Sequence, residues 1–586
     1  MPSRPLRVGN ASAFYGDRFS AVREMLEGGP LDVLTGDYLA ELTMLILGRD
    51  RMKDPRAGYA KTFHRQMEEC LGLAIEKGVR IVTNAGGLQP AVLAEALRGL
   101  AAKLGIEARI AHVEGDDLLA RAGELGLGAP LTANAYLGGW GIAECLRAGA
   151  DVVVTGRVTD ASLVVGAAAA HFGWRRDDWD ALAGATVAGH VLECGAQATG
   201  GNFAFFTEIE LGRPGFPIAE IENDGTSVIT KHPGTGGAVT VDTVTAQIVY
   251  EIAGARYAGP DVTTRFDTIE LAQEGPDRVR IRGVRGEPPP KTLKVCLNHL
   301  GGFRNEATFV LVGLDIEAKA ALAREQLEAA LDVRPTKLEW ILIRTDREDA
   351  DDEARASATL RVVAKDPDAA VVGRRFSGAA VELAVSSYPG FFSTAPPGDA
   401  SPYGVYTAAF VDASEVAHVA VLPDGRRVAI APSDETRALE AVAGRRSGPD
   451  SRLRLERAAP GAPREARAAA DAASEPTIRA PLGRIMGARS GDKGGTANIG
   501  VWARSDAGFR WLERTLDVAM LEKLLPETAG LRVTRHVLPN VHAMNFVVEG
   551  LLGEGVMSST RFDPQGKGLG EWLRSRMADV PVSLHR

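Results

Sequence analysis

The sequence predicts an α/β protein: a parallel-sheet N-terminal core, an α+β second lobe, and a small C-terminal α+β domain. Three observations lead there. Through residue 202, short apolar runs ending in small and polar residues alternate with helix-like segments. From Phe203 the texture changes to shorter alternating runs rich in Thr, Val and Ile. A stretch rich in Ala, Pro, Arg and Ser then sets off the last part of the chain. Continuous apolar strands alternating with helices indicate a parallel sheet covered on both faces.

The strand-then-polar-turn pattern occurs near Leu6, Leu31, Val79, Ala108 and Asp151. Ligands of such sheets bind beyond the carboxyl ends of the strands. The loops carrying Asn10, Ser12, Asp17, Asp37, Asn84, Asp116, Arg157 and Asp160 are therefore expected on one rim.

After the first strand, NASAFYGDR supplies Asn10, Ser12, Asp17 and Arg18. Asn10 or Ser12 is expected either to cap the next helix or to contact a ligand at its start. In the second unit Asp37 follows the strand, and Glu41 lies one helical turn later on the same face. Paired carboxylates suit acid–base work or a divalent cation; a solvated helix start is the plain alternative. The turn TNAGGLQP offers Asn84, Gly86 and Gly87 for close backbone approach, and Pro90 to start a helix. TANAYLGGWGIAECLRAGAD reads as another helical run.

In DVVVTGRVTDASL, Arg157 is the strongest anion anchor of the first half, because its planar fork matches carboxylate or phosphate; an ion pair with Asp160 is the competing role. His190 and Cys194 stand one helical turn apart, but an inert buried cysteine is expected, with Gln197 and Asn202 in a polar substrate loop. KHPGTGG places Lys231 beside a Gly-rich turn that either cradles phosphate or closes a hairpin; it matches neither GxxxxGK[ST] nor GxGxxG.

Residues from about 303 to 383 read as strand, helix, strand and helix; SSYPGFFSTAPPGDASPYGVYTAAF is a candidate lid or subunit contact. The expected division is 1–202 for the core, 203–445 for the second lobe, 446–478 for a linker and 479–586 for the terminal domain. That domain suggests a ferredoxin-like arrangement, with a hairpin loop from Arg489 to Gly495 that concentrates Ser490, Asp492 and Lys493.

Composition narrows the function. With 67 basic and 76 acidic residues among 586, net −9, and no long block of one sign, nucleic acid is excluded as an expected partner. No apolar stretch reaches the roughly 18 residues that cross a bilayer, and MPSRPLRVGNASAF lacks an apolar leader segment. The four scattered cysteines suit a reducing compartment. Together these predict a cytoplasmic protein, and a homo-oligomer is expected.

Taken together, NASAFYGDR, TGDYLAELTM, TNAGGLQP, NAYLGGWGIAE, VVVTGRVTDASL, GHVLECGAQATGGNF and ARSGDKGGTANIG resemble the acyclic terpene utilisation protein AtuA family over nearly the whole sequence. The long first part resembles the AtuA core, and the segment after the linker the AtuA-like ferredoxin-fold domain. The resemblance implies a setting in the catabolism of branched, isoprenoid-like acids as coenzyme A thioesters. It supplies no catalytic residue set.

The leading expectation is an enzyme acting on an acyl-CoA or related acid by lyase, hydratase or hydrolase chemistry. Coenzyme A enters as part of the substrate and no redox cofactor is needed; Asp17, Asp37 and Asp160 are the ligands if a divalent cation takes part. Asp37, Glu41 and Asp160 would move protons, Asn84 with Gly86 and Gly87 would stabilise an oxyanion, and Arg157 and Lys493 would bind anions. Arg157→Ala and Lys493→Ala are expected to weaken binding and leave the fold intact. The alternative is a non-catalytic assembly or carrier-binding subunit that docks through the terminal domain. A docking domain would turn the 489–498 hairpin outward.

Overall fold

The computed structural model describes residues 4–438 and 476–585. Most of the expected linker, residues 446–475, lies outside the described residues.

The five strand-turn units form the parallel centre of one sheet: β1 (Leu6–Asn10), β2 (Val33–Gly36), β3 (Arg80–Thr83), β4 (Ile110–Glu114) and β6 (Val152–Thr155). Their spatial order is β1-β2-β3-β6-β4, so the winding reverses at β6. Helices α1 (Ala21–Glu27), α3 (Lys61–Glu76) and α4 (Pro90–Leu104) cover one face; α5 (Trp140–Arg147), α6 (Ser162–Phe172) and α7 (Trp179–Glu193) cover the other, while α2 (Glu41–Lys53) packs Met44 and Leu47 with Tyr136 and Cys296. In β6, Val152 and Val154 pack with the first set and Val153 with the second. Burial on both faces is why these strands read as unbroken apolar runs.

The chain after residue 202 extends this same sheet. Antiparallel β7 (Pro217–Ile221) pairs with β1, and β8 (Ser227–Lys231) pairs with β7, followed outward by strands 278–282 and 270–275. Strands 419–421 and 427–429 add to the β4 edge. One alternating Thr/Val run is a helix instead of a strand: α8 (Val241–Ile248) starts at a Thr240–Thr243 capping box, and Val244 and Ile248 turn into the core.

A second sheet is built on the 21-residue strand Thr292–Val312. It pairs with β5 (Thr132–Ala135), with Ser357–Asp366, and along twelve residues with Ser401–Asp412. Two expectations change here. TANA opens the TANAYLGGWG run as a strand, and the second half of the Pro-rich aromatic segment is a strand carrying Tyr403 and Tyr406 into the sheet. Polar Gly/Pro punctuation suggests a loop locally, but long-range pairing wins.

The terminal domain has its own core and a four-stranded antiparallel sheet, Met486–Lys493, Thr496–Ala503, Ala543–Val548 and Val533–Leu538 in spatial order, backed by helices Asp506–Thr515, Val518–Leu524 and Leu569–Ser575. Its first two strands run to Lys493 and from Thr496, so the expected seven-residue loop is a two-residue Gly494–Gly495 turn. Trp502 leaves this domain's core and stacks on Phe203 of the first, with ring centroids 6.2 Å apart. Lys365 of the second lobe clasps the terminal domain too, donating to the Ser558 carbonyl at 2.8 Å. No helix among the described residues is long and apolar enough to cross a membrane.

Candidate functional site at the strand-end rim

Asp37, Asn84, Asp116 and Arg157 follow β2, β3, β4 and β6 and are buried side by side at the carboxyl end of the sheet. Asn84 Nδ2 donates to Asp37 Oδ1 at 2.7 Å, and Asn84 Oδ1 accepts from the Tyr38 amide at 2.7 Å. Asp116 Oδ2 accepts from the Arg157 amide and from Asn134 Nδ2, each at 2.8 Å. Gly156 makes this possible, since a Cβ there would lie 2.3 Å from Asp116 Oδ1.

The Arg157 side chain is 3% exposed. It lies 3.1 Å from Asp160, donates to the Leu39 carbonyl at 2.8 Å, and stacks 4.3 Å from the centre of the Tyr136 ring. Burial opposes its charge, but Asp160, Tyr136, Glu41 and Asp37 more than offset that, so the guanidinium stays ionised.

Two further elements close over this floor. β5 delivers Tyr136, whose hydroxyl donates to Glu41 at 3.2 Å, and the long strand paired with β5 delivers Lys294, 3.9 Å from the same carboxylate. Lys294 lies between the Tyr136 and Tyr406 rings, 4.7 and 5.6 Å from their centres. The end of α7 delivers His190 and Glu193, 3.1 Å apart. Asn10 holds that end of α7 by donating to the Leu192 carbonyl at 2.7 Å.

The terminal hairpin completes the group. Lys493 Nζ donates to the Glu251 carbonyl at 2.9 Å and stands 5.5 Å from the centre of the Tyr257 ring. The charge of Lys493 acts on His190, Glu193 and Lys294, and those of Glu251 and Glu41 act on Asp492. Arg489 donates to the Asn202 carbonyl at 3.0 Å and stacks on Tyr250 at 4.5 Å.

Environment separates the carboxyl groups. Burial, the Asp160 charge and the Glu251 charge hold Glu193 well above the ordinary range; burial and Asp160 do the same to Asp37. Burial also raises Glu41, but Lys294 and Arg157 outweigh it and hold that carboxyl below its ordinary value. Asp492 is pushed up to about 7 by burial and Glu251, and Asp116 to about 7 by burial. His190 is pushed down to about 4 by burial and Lys493, so the imidazole is neutral near pH 7. Lys294 falls below its ordinary value because burial and Lys493 outweigh Glu41.

A surface hollow of about 620 Å³ lies elsewhere, lined by Ile75, Arg98, Arg109 and Asp151. Arg109 and Asp151 precede β4 and β6, so it sits at the amino ends of the strands, away from the converging polar groups.

Comparison with known proteins decides the family. Residues 6–422 match the family described as acyclic terpene utilisation family protein AtuA, and residues 480–579 match the AtuA ferredoxin-like domain. The chain belongs to the AtuA family. Membership implies a role in acyclic terpene utilisation. No curated protein and no solved structure matches the chain.

Within this AtuA-family chain, Asp37, Glu41, Asp160, Arg157, Asp492 and Lys493 are brought together. Asn84 is drawn into holding Asp37 and the Tyr38 amide, and neither Asn10 nor Ser12 caps α1. Ser12 donates to the Phe14 carbonyl, and the Ser12 carbonyl accepts from the Asp37 amide. Asp17 spends its oxygens on the Ala13 and Arg18 amides. Arg18 donates to the Pro214 carbonyl at 2.6 Å. Gly86 and Gly87 serve packing: a Cβ on Gly86 would lie 2.5 Å from the Thr155 carbonyl, and one on Gly87 2.7 Å from that of Gly58. Lys231 donates within its own loop to the Thr235 carbonyl and pairs with Asp277 at 3.1 Å. Ser490 links the terminal strand to Lys567 and Gly570. Gln197 is partly buried, its Oε1 without a partner among the described residues, and Asn202, in the left-handed region at φ 57°, contributes its carbonyl to Arg489.

Asp17, Asp37 and Asp160 do not form a set able to hold a metal ion, and no group of three His, Cys, Asp or Glu among the described residues does. Sequence reasoning missed Tyr136, Lys294, Tyr406, Glu193, Glu251 and Arg489. Tyr136 and Lys294 meet only because β5 pairs with a strand about 160 residues later, placing the Tyr136 amide on the Lys294 carbonyl at 2.9 Å.

Proposed function

We propose that this AtuA-family chain is an enzyme of branched, isoprenoid-like acid catabolism that performs non-redox acid–base chemistry on an acyl-CoA thioester or related carboxylic acid. The observation that carries the reading is the inward turn of the terminal hairpin, which sets Lys493 and Asp492 among the carboxylates of the rim. A domain built only to dock partners has no use for that orientation.

Carboxyl groups pushed in opposite directions within one site suggest an acid and a base. Glu41, kept ionised by Lys294 and Arg157, is suited to accept a proton; Glu193, kept protonated by burial, is suited to donate one. In a hydration of an α,β-unsaturated thioester, water would add at the β carbon and lose a proton to Glu41. The α carbon would take a proton from Glu193, for a net addition of one water. Lys294, Lys493 and the Tyr136 hydroxyl would meet the charge that develops on the thioester oxygen. Hydrolysis of the thioester would use the same base on water.

The test is to incubate the full chain with branched saturated and α,β-unsaturated acyl-CoA thioesters in deuterated water and follow the products by mass spectrometry. The expected result is hydration or deuterium at the α carbon, abolished in both Glu193→Gln and Glu41→Gln, or hydrolysis abolished in Glu41→Gln. No conversion or exchange across the panel would overturn the reading in favour of a non-catalytic assembly subunit.

A further inference from the structure

Two arginines are buried among the described residues, Arg157 and Arg489. They differ in how their charge is met. Arg157 lies 3.1 Å from Asp160. Arg489, 8% exposed, has no carboxylate within 4.0 Å among the described residues, and its one hydrogen bond runs from Nη1 to the Asn202 carbonyl. Its Nε and Nη2 are both buried without a partner among the described residues. These two nitrogens form the side edge of the guanidinium, whose parallel N–H bonds match the two oxygens of a carboxylate or phosphate. A buried cation with that edge unused is costly unless a ligand supplies the anion.

The surroundings reinforce this. Arg489 is held flat on the Tyr250 ring at 4.5 Å. Lys567 stands over the same ring at 4.7 Å, meets the Tyr250 hydroxyl, and lies 3.8 Å from Glu251, adding a second positive charge. Gly491 lets Tyr250 come this close, since a Cβ there would be 2.6 Å from the ring.

We infer that Arg489 is the anion-binding residue of the site, gripping a carboxylate or phosphate group of the ligand bidentately, with Lys567 beside it. The inference rests on the rim being a ligand site, but not on which reaction occurs there. It divides the labour: Arg157 is committed to the carboxylates of the first domain, and the terminal domain brings the free guanidinium.

Titration calorimetry on the full chain with 3-methylbutanoate, inorganic phosphate and coenzyme A tests it. The wild-type protein is expected to bind at least one of the three. Binding of 3-methylbutanoate identifies the carboxylate, and binding of phosphate or coenzyme A identifies the phosphate. Arg489→Gln should weaken that binding on the order of tenfold to a hundredfold, while Arg282→Gln, at an exposed site, should not change it. If Arg489→Gln does not fold, Arg489→Lys decides the matter: it keeps the charge, loses the paired geometry, and should still bind about tenfold more weakly. Failure of all three anions to bind the wild-type protein, or unchanged affinity in the folded variants, would overturn the inference. Anion binding that depends on Arg489 without turnover would sink the enzymatic reading instead.

Discussion

The Glu251 amide donates to Asn498 Oδ1 at 2.8 Å, across the boundary between the first part of the chain and the terminal domain. Asn545 joins from the next strand, donating to the Ile252 carbonyl at 2.9 Å and contacting the Asn498 amide. Glu251, at φ 57°, is thereby fixed where its carbonyl receives Lys493. Both asparagines are buried, so losing either leaves main-chain groups unpaired. Asn498→Ala and Asn545→Ala should each lower stability by about 1–3 kcal/mol, and the double variant should fall short of the sum because they share one network. Urea unfolding midpoints check this; unmoved midpoints would mean that the asparagine network adds nothing to the docking of the domain.

Arg157 is a structural group, committed to the carboxylates around it. Removing a buried cation that faces Asp160, Glu41 and Asp37 leaves uncompensated charge, so Arg157→Ala should cost about 3–5 kcal/mol. Arg157→Lys should cost less. The expectation from sequence that the fold would tolerate Arg157→Ala is revised by that burial. A normal thermal midpoint in Arg157→Ala would contradict this revision.

Stability should depend on pH through Asp492. Its folded value of about 7 lies above the ordinary 3.8, so between these values the folded chain holds a proton that the unfolded chain has released. That contribution is fully present below about pH 4 and is lost as pH rises through 7. Asp116 acts in the same direction, with a folded value also about 7. Asp492→Asn should therefore flatten part of the decline in unfolding midpoint from about pH 5 to about pH 8. An unchanged slope would remove Asp492 from the account.

Gly156 is a steric requirement of the rim. Gly156→Ala would press its methyl group onto the Asp116 carboxylate that holds the Arg157 amide, with an expected loss of about 1–3 kcal/mol and weaker ligand binding. Wild-type stability and affinity in that variant would show that Asp116 can move freely.

How much of this was legible follows from where each signal lies. The unbroken run of Val152, Val153 and Val154, and its four counterparts, gave both the parallel sheet and the shared rim, because burial on two faces leaves its mark on consecutive residues. Lys294 and Tyr406 left no such mark. They sit in strands whose partners are distant in sequence, and nothing local reports which rim a strand will face. Asp492 and Lys493 were seen for their polarity, but Arg489 was taken as part of a loop because Gly, Ser and Asp surround it. The Gly494–Gly495 pair between two runs of equal length was the readable sign of a two-residue hairpin that carries Arg489 in a strand. Asn84, Gly86 and Gly87 stand where expected, yet they serve packing and the positioning of Asp37, a distinction that needs distances.

The central claim is that one catalytic site is built jointly by the strand-end rim and the terminal hairpin. The most direct measurement is the rate of the thioester reaction in Lys493→Ala against the wild-type chain, with thermal midpoints recorded on the same samples. Lys493 is exposed enough for its loss to spare the fold, so the account predicts an unchanged midpoint and a rate lower by about 10²–10³. Full activity in Lys493→Ala would contradict it.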